Sequence, residues 1–290
     1  MEILAPKKIW SFHNGNPKAI ETSNYALRSD PGHVVTSYID LAAKIAELQF
    51  LNRDHVLLFR GQGRDHHSSK GNTTLKPNIF RPLPGMKQTP KARVIRPRYD
   101  RLHKAEELLV AEYVKAGFKG SDRLKKQRIL RWSTLQHYEV CATPLLDVTH
   151  SLRIALSFAC QRANGNEAFL FALAVPNISG SITASAEAGL QIMRLSSVCP
   201  PAALRPHIQE GYLLGEYPDL VDIDQKGLYM GYEIDFAQRL IGKFKFDPKS
   251  IFNDPDFPLV SPSALYPNSQ DPLYRMAEEV KKQLGPDTTS

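Results

Sequence analysis

Three cysteines in 290 residues, Cys141, Cys160 and Cys199, are too few for a fold held by sulfur. Their number is odd and none stand in a C-x-x-C pair, which excludes a disulfide framework or a zinc ribbon and leaves buried or idle thiols. Long apolar runs are missing too, with nothing near the roughly 18 uncharged residues of a membrane helix. The opening MEILAPKKIW lacks the basic, then apolar, then small-residue order of a secretory signal, so a cytoplasmic protein without membrane association is expected. There is no serine-hydrolase elbow, no Walker loop and no HExxH. The pair His66-His67 has no companion at ligand spacing, so no metal site is expected.

What remains is the balance of a globular protein, 42% hydrophobic and 23% charged, large enough for one substantial domain with terminal additions. Charge is distributed unevenly. Residues 81–131 hold 15 Lys and Arg against 5 Asp and Glu, a balance of +10 in a chain whose total is +7. A stretch such as KARVIRPRYDRLHK could lie against nucleic acid or a dinucleotide phosphate. It could equally be a solvated helical face, because aromatics for base stacking are sparse there.

The opening thirty residues, with NGNPK and RSDPGH, read as loop and turn. Tyr38, Leu41, Ile45 and Leu48 then recur at helical spacing behind Ser37 and Asp40, a possible N-cap pair. This helix feeds a strand, HVLLF. AEELLVAEYVKAGF reads as a helix with acidic residues in its first turn, and RLKKQRILRWSTLQHY as one further helix. TPLLDVTHSLRIALSFACQ is a strand, a polar turn and a helix in which Leu152, Ala155, Leu156 and Ala159 follow the i, i+3, i+4, i+7 rule. FLFALAV reads as a buried strand, LQIMRLS and FAQRLIGKFKF as weaker ones, and Leu273, Met276, Ala277, Val280 and Leu284 form an amphipathic helix. Helices dominate the first half and strands the second, which predicts an α+β fold with a helical first half on a mostly antiparallel sheet.

Two polar clusters stand out. Arg60 sits at a strand end where Gly61 permits close backbone approach and Gln62 supplies an amide, a set suited to bidentate capture of a phosphate or carboxylate. The alternative is an arginine paired with a buried carboxylate such as Asp147. Asp147, Thr149 and Ser151 alternate around a strand-to-helix turn, where they can cap the helix or present oxygens to a ligand. His137 suits acid-base chemistry or a structural hydrogen bond.

FRG at 59–61, LKPNIFR at 75–81, the helix with Glu106 and Glu107, QHY at 136–138, ATPLLDVTHS and ALSFA, and RPHIQEGYL at 205–213 together resemble the FRG domain. The likeness covers about residues 50–215. It suggests an N-terminal extension over 1–35, the FRG domain with its C-terminal strands over 36–250, and a tail with an amphipathic helix over 251–290. Two positions depart from the family: Glu139-Val140-Cys141 replaces a shorter glycine-containing link, and Val148 stands where tryptophan is common. The motif order is also similar to that of ADP-ribosyltransferases, which implies a split sheet and NAD as substrate, with no metal. On that resemblance Arg60, Gln62, Asp147, Thr149 and Ser151 would bind NAD. The catalytic position falls on Gln209, with Glu210 beside it and His137 as an acid-base candidate. The expected function is therefore an NAD-dependent ADP-ribosyltransferase-like toxin or defence effector with an unspecified acceptor. The alternative is a non-catalytic ligand-sensing module, or a nucleic-acid-binding one that uses the basic segment 81–131.

Overall fold

The computed structural model describes residues 4, 7–86, 88, 90–163, 165–219 and 234–287. The opening thirty residues are not simple loop. They contain β1 (Lys8–Ser11) paired antiparallel with β2 (Ile20–Ser23), then α1 (Asn24–Ser29) and β3 (His33–Val34). Elements of two to six residues are too short to display a period in sequence, and these are held by distant partners. The Asn24 amide donates to the carbonyls of Ala237 and Leu240, and Phe12 packs on His33 and Phe244.

Helix α2 (Tyr38–Leu51) begins as its sequence predicts, with the Ser37 hydroxyl accepting the Asp40 N–H at 3.1 Å, and it buries Leu41, Ile45 and Leu48. Strand β4 (Val56–Gln62) follows. Helix α3 (Ala92–Lys115) starts well before the acidic residues thought to mark its first turn. Glu106 is instead mid-helix and buried, 3.3 Å from Arg131 and 3.5 Å from Arg128, so this acid answers a tertiary ion pair rather than the helix dipole. The expected single helix after it is two, α4 (Ser121–Lys126) and α5 (Arg128–His137), broken at an extended Gln127. Arg131 stabilises the break by donating to the carbonyls of Leu124 and Lys125 at the end of α4.

The rest of the chain runs through β5 (Leu146–Thr149), α6 (Leu152–Gln161), β6 (Ala168–Val175), β7 (Ile182–Ser185), β8 (Leu190–Arg194), the single turns α7 (Leu195–Val198) and α8 (Arg205–Ile208), β9 (Gly211–Glu216), β10 (Leu240–Phe246), the turn α9 (Pro262–Leu265) and α10 (Pro272–Leu284). Eight strands make one sheet in the order β3-β10-β6-β4-β5-β9-β8-β7, antiparallel except for β3 beside β10. The class is α+β, as expected. Strand β6 is buried along its whole length, which is why FLFALAV shows no alternation.

The sheet is divided at its middle. β4 pairs with β6 from Val56 to Gln62, and β5 pairs with β9 at all four residues, but β4 and β5 meet in register only at Phe59 and Thr149. The halves splay beyond that point, and the functional cavity lies where they part. Three contacts hold its surroundings rigid. Helix α6 lies so close on β4 that a Cβ on Gly61 would fall 1.7 Å from the Ala155 carbonyl oxygen. The fully buried Lys243 of β10 reaches Asp65 at 2.5 Å and Thr73 at 2.8 Å, pinning the loop that follows β4. Helix α10 packs on α3 through the five apolar residues its periodicity predicts, and its N-cap Asp271 accepts the Tyr138 hydroxyl and the Leu204 and Arg205 N–H groups.

Gly61→Ala tests the close approach of α6 to β4. Because the clash is with backbone, it is expected to cost about 3 kcal/mol or more, the upper end of overpacking. A lowered urea midpoint is the readout, and a wild-type midpoint would refute the contact.

Candidate functional site

A cavity of about 280 Å³ opens at the split of the sheet. Strand β4 supplies Phe59, Arg60 and Gly61, β5 supplies Leu146–Thr149, and the end of α5 supplies Gln136 and His137. Arg60 lies within β4, two residues before its end, and its Nη1 donates to the backbone carbonyl of Asp147 at 2.6 Å. Its Nε has no hydrogen-bond partner. Burial pushes the guanidinium down to about 9, helped by the repulsion of Arg81 and opposed by Asp147, so at neutral pH it stays charged.

The Asp147 carboxylate turns the other way. Its Oδ2 accepts from Gln136 Nε2 at 2.6 Å and its Oδ1 lies 3.7 Å from His137 Nδ1. Burial alone would raise its pKa, but His137, Gln136 and Arg60 outweigh that and hold it below the ordinary carboxylate range. Gln136 is itself fixed by the Thr143 hydroxyl at 2.6 Å, so the amide orients the acid. His137 is buried, which pushes its pKa down against the pull of Asp147. With Nδ1 facing the carboxylate, its unpartnered Nε2 is left as the basic nitrogen in the cavity wall.

The structure therefore brings Arg60, Asp147, Thr149, His137 and Gln209 to one cavity. Three other expected residues stand apart from its lining. Gln62 lies further along β4 with its Oε1 buried and unpartnered. Ser151 is the N-cap of α6, accepting the Ile154 N–H. Glu210 is exposed with a left-handed backbone, φ 45°, and only its carbonyl meets the site, as an acceptor for the Thr149 hydroxyl at 3.1 Å. The inward-facing neighbour is Gln209, whose amide donates to the Leu265 carbonyl at 2.8 Å. One residue of helical turn decides between the two.

Sequence reading missed most of the outer wall. Asn78, Arg81, Glu139, Arg162, Arg205 and Tyr266 complete it. The Arg205 guanidinium lies over the rings of Tyr266 at 4.7 Å and Tyr138 at 5.7 Å, and Glu139 Oε1 stands 3.5 Å from Arg205 and 3.8 Å from Arg162. The only prior signals were the arginines of LKPNIFR and RPHIQEGYL and the odd Glu139. Tyr266 gave none, coming from nearly 130 residues away in the chain. A second, outer groove of about 870 Å³ shares Asn78, Arg81 and Glu139 with the cavity.

Much of the basic segment has internal work. Arg98 donates to the Ile79 and Arg81 carbonyls, and Arg101 caps the C-terminal end of α10 through the Leu284, Gly285 and Pro286 carbonyls. The three cysteines are free, and burial pushes each thiol up to about 12, far from a reactive thiolate. Among the described residues no group of three His, Cys, Asp or Glu side chains is placed to hold a metal ion, and no helix is long and apolar enough to cross a membrane.

Residues 55–168 match the family model of the FRG domain. No curated protein and no solved structure matches the chain. The matched segment contains Arg60, His137, Asp147 and Thr149, whereas Arg205, Gln209 and Tyr266 lie beyond it and line the same cavity.

The depressed pKa of His137 has a thermodynamic consequence. Below its usual value near 6.5 the unfolded chain takes up a proton that the folded protein resists, so stability is full above that pH and falls as the pH drops through this window. Asp147, shifted downward, loses its contribution only in more acid solution, as the pH falls below about 4. His33 and His66 shift in the same direction as His137 and add to the slope. The melting temperature of the wild type should thus decline between about pH 7 and pH 5, and that of His137→Gln should decline less steeply. Parallel curves would mean that His137 protonates freely in the folded protein.

Proposed function

Taking as premise that this chain carries an FRG domain, we propose that it is an NAD-dependent ADP-ribosyltransferase-like enzyme that binds its dinucleotide where β4 and β5 part. The observation that carries the reading is Arg60, a half-buried and incompletely partnered guanidinium at a split in the sheet, set beside a base-and-carboxylate pair. Four arginines and two carboxylates line the cavity, leaving an excess of two positive charges, which offsets the two negative charges of a pyrophosphate diester. The outer groove, at about 870 Å³, is of the scale of a small-molecule site, roughly 300 to 1,000 Å³, and the inner cavity of about 280 Å³ adjoins it.

In the transfer, the bond from the ribose C1′ to nicotinamide breaks and its electron pair leaves with the nicotinamide. A lone pair of the acceptor forms the new bond at C1′. The acceptor's proton passes to His137 Nε2, whose imidazolium is stabilised by Asp147. Asp147 also supplies negative charge for the cationic sugar that develops as the bond breaks, a role that Gln209 as a neutral amide cannot fill and for which Glu210 is outside the lining. Thr149, fixed by the Gln209 and Glu210 carbonyls, shapes the floor beneath the reacting atoms. A toxin or defence effector of this kind would arrest cells on expression.

Calorimetry with NAD and transfer from labelled NAD test the reading. Arg60→Gln should weaken NAD binding by roughly 1.5–3 kcal/mol, the worth of hydrogen bonds to a charged group. The same variant loses the tie to the Asp147 carbonyl, so binding must be compared at a temperature where both proteins are folded. His137→Gln should leave binding near wild type and slow transfer by about 10²–10⁴-fold, the usual contribution of a positioned base. Transfer at the wild-type rate would remove His137 from the mechanism. A wild type that does not bind NAD would give way to the ligand-sensing or nucleic-acid-binding module.

A further inference from the structure

Arg205 is 5% exposed and lies over two tyrosine rings, its Nε has no partner, and the carboxylate nearest its guanidinium is Glu139. That acid is held loosely. One oxygen accepts a long hydrogen bond from Arg205 at 3.5 Å and lies 3.8 Å from Arg162, and its side chain is 56% exposed. Its backbone is left-handed, φ 56°, a conformation that a side chain other than glycine, asparagine or aspartate seldom takes. Glu139 also stands at the boundary of the two cavities, since it lines both.

We propose that Arg162 and Arg205 form a phosphate-binding subsite at the mouth of the cavity, and that Glu139 occupies it as a built-in substitute until a phosphate of the ligand displaces it. The asymmetry of burial sets which partner moves. Arg205 is fixed by its tyrosines and by the Asp271 contact to its backbone, whereas Glu139 can swing into solvent with little loss of hydration. A phosphate presents several oxygens to the arginine fork where Glu139 offers one, so it gains hydrogen bonds in the exchange. Departure of the acid also joins the inner cavity to the outer groove. The ligand class is thus a nucleoside diphosphate or dinucleotide with one phosphate near Arg60 and the other at the mouth, a placement that rests on the function proposed above.

The test is calorimetric titration of inorganic pyrophosphate and, separately, of NAD into the wild type, Glu139→Gln and Glu139→Gly. Both variants should bind pyrophosphate more tightly, by about fivefold, the scale of a partly exposed ion pair. Glu139→Gly should in addition melt at a higher temperature than the wild type, because glycine fits the left-handed backbone without strain. Unchanged or weaker pyrophosphate binding in both variants, or none in any protein, overturns the subsite, and weaker binding would mark Glu139 as a support that positions the arginines. Tighter pyrophosphate binding without NAD binding would uphold the subsite while the transferase reading fails. NAD binding that Glu139→Gln leaves unimproved would retain that reading and reject the displaced acid.

Discussion

A side-chain hydrogen bond, from the Arg60 guanidinium to the backbone carbonyl of Asp147, reinforces the place where the sheet is weakest. Strands β4 and β5 share one register pair there, so the ladder itself does little to hold the two halves together. The bond sets the orientation of everything near it. With its carbonyl engaged by Arg60, Asp147 presents its carboxylate to Gln136 and His137, and that choice leaves Arg60 charged in a half-buried position without a directly bonded acid. Desolvation, joined by the repulsion of Arg81 and Arg162, is what shifts the arginine so far from its ordinary value, and Asp147 only partly offsets it. Local stability is given up in the arrangement, and an anion entering the cavity would restore it.

The frame around this weak seam is correspondingly stiff. Ala155 of α6 meets Gly61 with no space for a side chain, so the helix and β4 move together. Ser151 and Thr149 then tie the start of that helix to β5 and to the end of α8, through the Ile154 N–H on one side and the Gln209 carbonyl on the other. A cavity wall built from strand ends and fixed helix starts keeps its polar atoms in place more firmly than a loop would. The arginines of α3 contribute to the same end. Arg98 and Arg101 donate to backbone carbonyls at the ends of other elements, so part of the positive charge of the basic segment works as mortar inside the domain.

The sequence was most legible where one element satisfies its own pattern. Helices α2, α6 and α10 show their buried faces in residue spacing, and β6 shows its double burial as an unbroken apolar run. It misled where a residue answers a distant partner. Glu106 resembles a helix-start acid but pairs with Arg131, Gln127 looks like helix interior but is where Arg131 ends α4, and β1–β3 depend on Phe244, Ala237 and Leu240 more than two hundred residues away. The site divides the same way. Arg60, Asp147 and Thr149 belong to compact motifs and were readable, whereas Arg162, Arg205, Glu139 and Tyr266 converge only after folding. Glu210 was plausible because an acid is chemically better than an amide, yet the chain direction at the end of α8 turns Gln209 inward.

That convergence limits how small the working unit can be. The matched family segment ends at Ala168, the first residue of β6, so it contains β4 but almost none of the strand that pairs with β4 along its full length. It also contains β5 without β9, the partner that holds Thr149 opposite Gly211. Both halves of the seam therefore take their hydrogen-bonded support from chain beyond the segment, as does the outer wall through Arg205 and Tyr266. The C-terminal helix closes the circuit, because Asp271 accepts from Tyr138 within the segment and from the Arg205 backbone outside it. Arg60 can be held half-buried and charged only while these distant elements surround it, so the chemistry of the motif is a property of the assembled sheet and its C-terminal brace rather than of the motif's own residues.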